Sequence, residues 1–399
     1  MGRTAIVVGA GIGGLSTARA LERTGWDVAV YDQAPAFGPV GAGIGIAPNA
    51  VKALEWLGLA THLRAQGVRQ EGMQIRLASG RRVAHLPATD IEARFDDPFI
   101  ALHRAELHQI LLDSLENVAQ YTGHRVTGAT IDTGRPSVSF ETTTGPLTVS
   151  ADLVVAADGV HSQLRGSVFP AYPGPTYAGY TVWRGIVPAH QAAHLGIDPI
   201  LTETWGRAAR FGIAVINDGQ VYWFACENMP EGATPRHSLN DVAARFRDWH
   251  APIPQLLAAT PPESLLRHDV YYLKASLPAF VRDRVVLVGD AAHAVTPDIG
   301  QGACLAIEDA VVLADALHRT GIDEALATYD VARRPRTQQL ARTSGTLGRI
   351  LQTGNPAATL LRDTIARALP TPLLARFASG AFAWTPPEPI AGEPTHPHG

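Results

Sequence analysis

Cysteine is nearly missing from this 399-residue chain: only Cys226 and Cys304 occur. Two thiols so far apart exclude a disulfide framework, a CxxC redox pair and a cysteine-rich zinc site, and they suit a reducing cytoplasm. An excess of one charge is missing too. Lys and Arg number 33 against 37 Asp and Glu, for a net charge of −4. That balance argues against nucleic acid or an anionic membrane as partner. No apolar run reaches the ~18 residues that a membrane span needs. No His, Cys, Asp or Glu cluster has metal-ligand spacing, so no metal is expected. Residues 1–4 lead straight into an apolar run with no cleavage pattern, so no secretory leader is expected. No internal repeat is visible.

What the chain does have is 46 % hydrophobic and 18 % charged residues. That is the composition of a globular enzyme with enough chain for more than one domain. The first informative segment begins at residue 5. Residues 5–8 (AIVV) read as a strand, followed by Gly9-Ala10-Gly11-Ile12-Gly13-Gly14 and a helical stretch over 15–24. Residues 27–31 read as a second strand, ending on Asp32. The glycines allow a tight turn and a close approach to a pyrophosphate, and the helix start supplies free N–H groups and a positive dipole end. Asp32 follows Gly11 by 21 residues, the distance of a carboxylate that meets a ribose hydroxyl. A strand–helix turn that binds nothing could use the same glycines, and the motif alone does not separate FAD from NAD.

Two later segments decide the cofactor. An apolar strand over 152–157 runs into Asp158-Gly159-Val160-His161, with Arg165 close behind. Another over 284–288 ends in Gly289-Asp290, followed by Pro297 and Gly300-Gln301-Gly302-Ala303 at the start of a helix. GxGxxG, DG and GD motifs in this order resemble the class A flavoprotein monooxygenases, the family of p-hydroxybenzoate and salicylate hydroxylases. The resemblance covers about residues 4–370, and the stretches 41–50 (GAGIGIAPNA), 102–107 (LHRAEL) and 329–336 (YDVARRPR) also match.

The resemblance implies an α/β fold: a doubly wound Rossmann-type FAD-binding domain, an inserted β-sheet substrate domain and C-terminal helices. We place the FAD-binding domain at 1–75, 100–170 and 275–330, and the substrate domain at 76–99 and 171–274. A helical segment follows at 331–384, read as helices over 332–340, 347–352 and 358–368, then a flexible tail at 385–399. Cofactor contacts are implied at Gly9, Gly11, Ile12, Gly13, Gly14, Asp32, Gly43, Ile44, Arg104, Val126, Asp158, Asp290, Pro297, Gly300, Gln301, Gly302 and Ala303. The helix start at Gly302 is expected to face the flavin pyrimidine edge, where negative charge develops on reduction. Arg165 is expected to order the DG turn through ion pairing, and His161 and His293 read as structural.

In the substrate sheet, strands are expected over 180–187, 209–216 and 220–226, with a turn at 217–219. Arg210 and Tyr222 resemble the arginine and tyrosine that contact substrate in urate hydroxylase relatives. Arg210 is expected to hold an anionic group and Tyr222 to orient or deprotonate the substrate, although both also suit a purely structural place in the sheet. Trp183 and Arg184 are further candidates for the pocket lining.

The activity implied is hydroxylation of an aromatic or heteroaromatic small molecule with FAD, NAD(P)H and O2, through a flavin C4a-hydroperoxide. The same motifs also serve an epoxidase or tailoring oxygenase on a natural product, an FAD-dependent reductase, or a noncatalytic FAD-bound module. A cytoplasmic monomer or homodimer is expected.

Overall fold

A computed structural model describes residues 2–38, 41–131, 134–233, 238–368 and 380–388. Thr4–Val8 carries four consecutive buried residues, too apolar for a strand with one wet face. It lies inside a six-stranded sheet in the order Val281–Arg282, Val285–Leu287, Leu153–Ala156, Thr4–Val8, Asp27–Tyr31, Ala119–Tyr121. All neighbours run parallel except the edge strand Val281–Arg282. A parallel sheet needs helices on its faces. The helix Ile12–Arg23 supplies one such cover, and it packs against Gly302–Arg319. Both belong to the main core with the strands' Val, Ile and Leu side chains.

A seven-stranded sheet stands beside this layer, in the order Leu266–Tyr272, Thr176–Val187, Val221–Asn228, Ala209–Val215, Ile200–Trp205, Gly72–Leu77, Arg82–Pro87. Alternation divides its side chains between two faces. Trp183, Phe211 and Trp223 point to a separate core with Val242, Phe246, Leu256 and Leu257. The Trp223 ring stacks on Phe211 with centroids 5.4 Å apart. Arg184, Arg210, Tyr222, Phe224 and Cys226 therefore fall on the opposite face. Gly72–Leu77 runs across the boundary drawn at 75/76, because all six residues pair with Ile200–Trp205.

The C-terminal helices differ from the expectation. The segments at 332–340 and 347–352 belong to one helix, Ile322–Leu351, which continues through Pro335. The carbonyl freed by proline is that of Val331, a residue 72 % exposed, so water meets it at little cost. Pro356–Ala368 forms the next helix. The expectations for 369–379 and 389–399 lie outside the described residues. No helix among the described residues is long and apolar enough to cross a membrane.

Candidate active site

The glycine turn is built as much by packing as by any ligand. Gly9 has φ +103°, and a Cβ there would lie 2.3 Å from the Ala157 carbonyl oxygen. A Cβ on Gly14 would lie 1.8 Å from the Gly9 oxygen. These two glycines bring the helix onto the strand. Gly13 abuts Ala306 of the second long helix. Gly11 is different: a Cβ there would meet nothing within 4 Å. The helix begins at Ile12 with no side-chain cap and no acid in its first turn. Its free N–H groups and dipole therefore face open space, as an anion site requires.

Asp32 is fixed beside that turn. Its Oδ2 accepts the Ala10 N–H at 2.6 Å and its Oδ1 accepts the Ala34 N–H at 2.7 Å, which leaves lone pairs for a ribose hydroxyl. The Asp32 carbonyl accepts from His124 N–H at 2.8 Å. That bond brings the strand Arg125–Thr130, with Val126, to the same end of the sheet.

Asp290 opens a short helix after Gly289, whose φ is +56° and whose N–H donates to Asp309 at 2.9 Å. Water reaches Asp290, yet enclosure by protein pushes its carboxyl above the usual range against the pull of His293, Arg104 and Arg165. A group both wet and enclosed lies on the floor of a deep cleft. Arg104 lines the same cleft. Its N–H donates to the Ala42 carbonyl at 2.7 Å, and its side chain crosses Gly41, where φ is +125° and a Cβ would lie 2.9 Å from Arg104 Cδ. Gly43 pairs with His103 and Ile44 with Leu102, which places both beside Arg104.

Asp158 holds its own turn. It accepts from the Ser162 hydroxyl and from the Leu164 N–H at 3.0 Å, and burial raises its pKa. Arg165 corrects an expectation. It orders the turn through backbone carbonyls rather than an ion pair, donating to Val160 O at 2.6 Å and to Ala291 O at 3.0 Å. A buried guanidinium has five donors to satisfy, and the carbonyls of two turns lie within its reach. It thereby joins the DG turn to the GD turn.

The third part of the cleft is the loop from Pro297 to Ala303. Gly300 has φ +63°, and the 18-residue helix Gly302–Arg319 starts with no side-chain cap and no acid in its first turn. Gln301 is fully buried. Its Oε1 accepts from Asn49 Nδ2 at 2.9 Å, but its Nε2 has no partner. Behind it lies a buried ion cluster. Asn49 donates to Glu308 at 2.6 Å, Arg333 bridges Glu308 and Asp309, Arg336 meets Glu308 at 2.8 Å, and His293 meets Asp309. His293 is thus structural, as expected.

These observations fit FAD. Two uncapped helix starts face one cleft, Asp32 and Asp290 offer acceptors along it, and the buried Gln301 amide lacks a partner at one end. The donor set matches a cofactor with an anionic middle, hydroxyls on either side and a polar ring edge.

The substrate face of the large sheet closes over this cleft. The Tyr222 ring lies against Gly43, where a Cβ would come within 2.2 Å of it. Arg210 forms a buried ion pair with Asp298, one residue after Pro297. The sheet face is therefore bounded by two cofactor loops, one at each end. Arg210 and Tyr222 share this face but are not neighbours. Arg210 pairs with Cys226, four residues from Tyr222, or about 14 Å along the strand. Arg210 also corrects an expectation. It is 2 % exposed, with Nε on Gln352 at 3.2 Å, Nη1 on Glu203 at 2.9 Å, and Nη2 on Asp298 and Cys226. Burial holds the Tyr222 phenol above its usual pKa despite the nearby Arg184 charge. A phenol that stays protonated orients a substrate rather than deprotonating it. Asp298, Asn49 and His268 were not singled out as site residues from sequence, whereas Arg184 was a candidate for the pocket lining. Asp298 alone carried a signal, standing between Pro297 and Gly300.

Comparison with known proteins agrees with this geometry. A family model described as "FAD binding domain" matches residues 3–344. The chain is 35 % identical over 370 residues to the aurachin C monooxygenase/isomerase of Stigmatella aurantiaca, covering 92 % of this chain and 94 % of that one. It is 34 % identical over 385 residues to the 3-amino-4-hydroxybenzoate 2-monooxygenase of Streptomyces cremeus, covering 95 % of each. Among solved structures, Klebsiella pneumoniae HpxO complexed with FAD and uric acid superimposes with a TM-score of 0.87 at 31 % identity, covering 96 % of this chain and 97 % of that one. The chain belongs to the FAD binding domain family and, within it, to the class A FAD-dependent aromatic monooxygenases.

Proposed function

We propose that this enzyme hydroxylates the ring of an aromatic or heteroaromatic small molecule, with reduced nicotinamide as electron donor and O2 as co-substrate. The observation that carries this reading is the position of the substrate face between the two cofactor loops, with Tyr222 against Gly43 and Arg210 latched to Asp298. Bound FAD would supply the chemistry, passing electrons from the nicotinamide to O2 and one oxygen atom to the substrate.

The protein's own residues bind, orient and exclude water. The helix starts at Ile12 and Gly302 would hold the pyrophosphate and the pyrimidine edge. Asp32 and Asp290 take hydroxyls of the ribose and ribityl chain. The sheet closes the ring compartment, where Phe224 lies between the Tyr222 and Arg210 positions on one face and Tyr222 offers a phenolic donor. Buried, free Cys226 and Cys304 suit a reducing cytoplasm, and a monomer or homodimer is the assembly we assign.

The test is NAD(P)H oxidation by the yellow holoenzyme with a panel of phenols and heteroaromatics under 18-O2. One labelled oxygen on a ring carbon is the expected result. Stimulated NAD(P)H consumption with no label in any product, across the panel, would overturn ring hydroxylation. The likeness to aurachin C monooxygenase/isomerase favours one second reading, oxygenation of a natural-product scaffold, and label in an epoxide rather than a ring hydroxyl would select it.

A further inference from the structure

Two arginines share the sheet face that closes the cleft, and their charges are balanced differently. Arg210 faces two carboxylates, Asp298 and Glu203, and is sealed from water. Its single positive charge is already outweighed, so it has nothing left to offer an anion.

Arg184 is its counterpart at the other end. The register sets Ile186 opposite Tyr222 and Arg184 opposite Phe224, so Arg184 lies one strand over from both rings. It is half-buried. Its Nη1 donates to His268 Nδ1 at 3.2 Å, and its charge acts on the nearby Tyr222 phenol. Arginine cannot accept a hydrogen bond, so His268 Nδ1 carries the lone pair and the ring proton sits on Nε2. Burial, followed by Arg184, Arg104 and Arg267, holds His268 below its usual pKa and neutral. Both partners of Arg184 are thus uncharged. Among the described residues Arg184 forms no ion pair with a carboxylate, unlike Arg210 and Arg267 of the same sheet.

A cation kept partly out of water by neutral partners is stabilised when an anion completes the site. We infer that Arg184, positioned by His268 on the strand beside Tyr222, is the anion-binding group of the ring compartment, and that the substrate carries a carboxylate or a ring oxyanion that pairs with it. This inference rests on the aromatic hydroxylase reading and moves the anchor from Arg210 to Arg184. A bidentate or charge-assisted contact of this kind gives discrimination of roughly 10- to 100-fold.

The experiment titrates FAD-loaded enzyme with charged and neutral isosteres and follows the flavin absorbance. The pairs are 4-hydroxybenzoate with 4-hydroxybenzamide, salicylate with salicylamide, and nicotinate with nicotinamide. The wild type is expected to prefer the anion of at least one pair by about 10- to 100-fold. Arg184→Gln is expected to abolish that preference with FAD content unchanged, and Arg184→Lys to restore part of it. A preference that survives in Arg184→Gln overturns the inference, as does a wild type that binds neutral aromatics as well as anions. Loss of FAD from Arg184→Gln overturns it too, by assigning the cation to the cofactor. If no aromatic of either charge perturbs the flavin, the aromatic hydroxylase reading falls first and this inference with it.

Discussion

Arg210 and Asp298 form a buried ion pair that joins the centre of the substrate sheet to the loop ahead of Gly300. The Tyr180 hydroxyl donates to the same carboxylate at 2.9 Å, and Gln352, just past the long C-terminal helix, accepts from Arg210 at 3.2 Å. Sheet, loop and helix meet at one point. The floor of the ring compartment is therefore held by charge, in a place where water cannot compensate either partner.

That burial sets the first prediction. Removing Arg210 strands the buried Asp298, so Arg210→Ala is expected to cost about 3–5 kcal/mol, whereas Asp298→Ala leaves Arg210 its bond to Glu203 and is expected to cost less. The double variant is expected to lose much less than the sum, because neither charge is then left alone. Urea unfolding of the holoenzyme measures all three. Single losses below about 1 kcal/mol would place the pair in water and return Arg210 to the list of substrate ligands.

Asp290 behaves in the opposite way. Among the described residues its carboxylate makes no hydrogen bond to protein, and enclosure raises its pKa. Its charge therefore costs the fold stability and awaits a donor. Asp290→Ala is expected to leave the apoprotein's melting temperature unchanged or higher while weakening FAD binding by at least tenfold, the value of one charged hydrogen bond. Circular dichroism and the ratio of flavin to protein absorbance separate the two effects. Stoichiometric FAD in the variant would remove Asp290 from the cofactor site.

The cofactor half of the site was legible because its motifs are local. Gly9, Gly11 and Gly14 act within a few residues, and Asp32 is reached by one helix and one strand. The substrate half was not, because it depends on pairing across long separations. Nothing in the sequence near Arg210 announces that Asp298, 88 residues away, neutralises it. Arg184 was legible only as a candidate for the pocket lining, and its place beside Tyr222 and His268 came from the register. A helix through Pro335 was legible, but its union with 347–352 into the single helix Ile322–Leu351 was not.

A third prediction concerns pH. Asp97 is 6 % exposed, and its pKa is pushed up to about 6 by burial first and by Glu55 second, against Arg64 at 3.2 Å. A carboxyl with a raised folded pKa favours the fold when protonated. That contribution is complete below the unfolded pKa near 4 and is lost as pH rises through about 6. Asp97→Asn keeps the shape without the charge. It is expected to gain about 1–3 kcal/mol at pH 7.5 and almost nothing at pH 4. Equal effects at the two pH values would show that Asp97 titrates normally.

Tyr222 provides the last test, because its two ends have separate jobs. The ring fills the space against Gly43, while the hydroxyl feels the nearby Arg184 charge. Tyr222→Phe keeps the ring, so FAD content and stability are expected to stay close to those of the parent. The lost hydroxyl is expected to lower kcat/KM about tenfold, the value of one orienting hydrogen bond. The pH dependence separates orientation from proton transfer. Burial holds this phenol above its ordinary pKa, so it stays protonated across the working range, and the alkaline limb of the kcat/KM profile should be the same in both proteins. If that limb disappears in Tyr222→Phe, the hydroxyl is a titrating base, and the orienting role assigned to it is wrong.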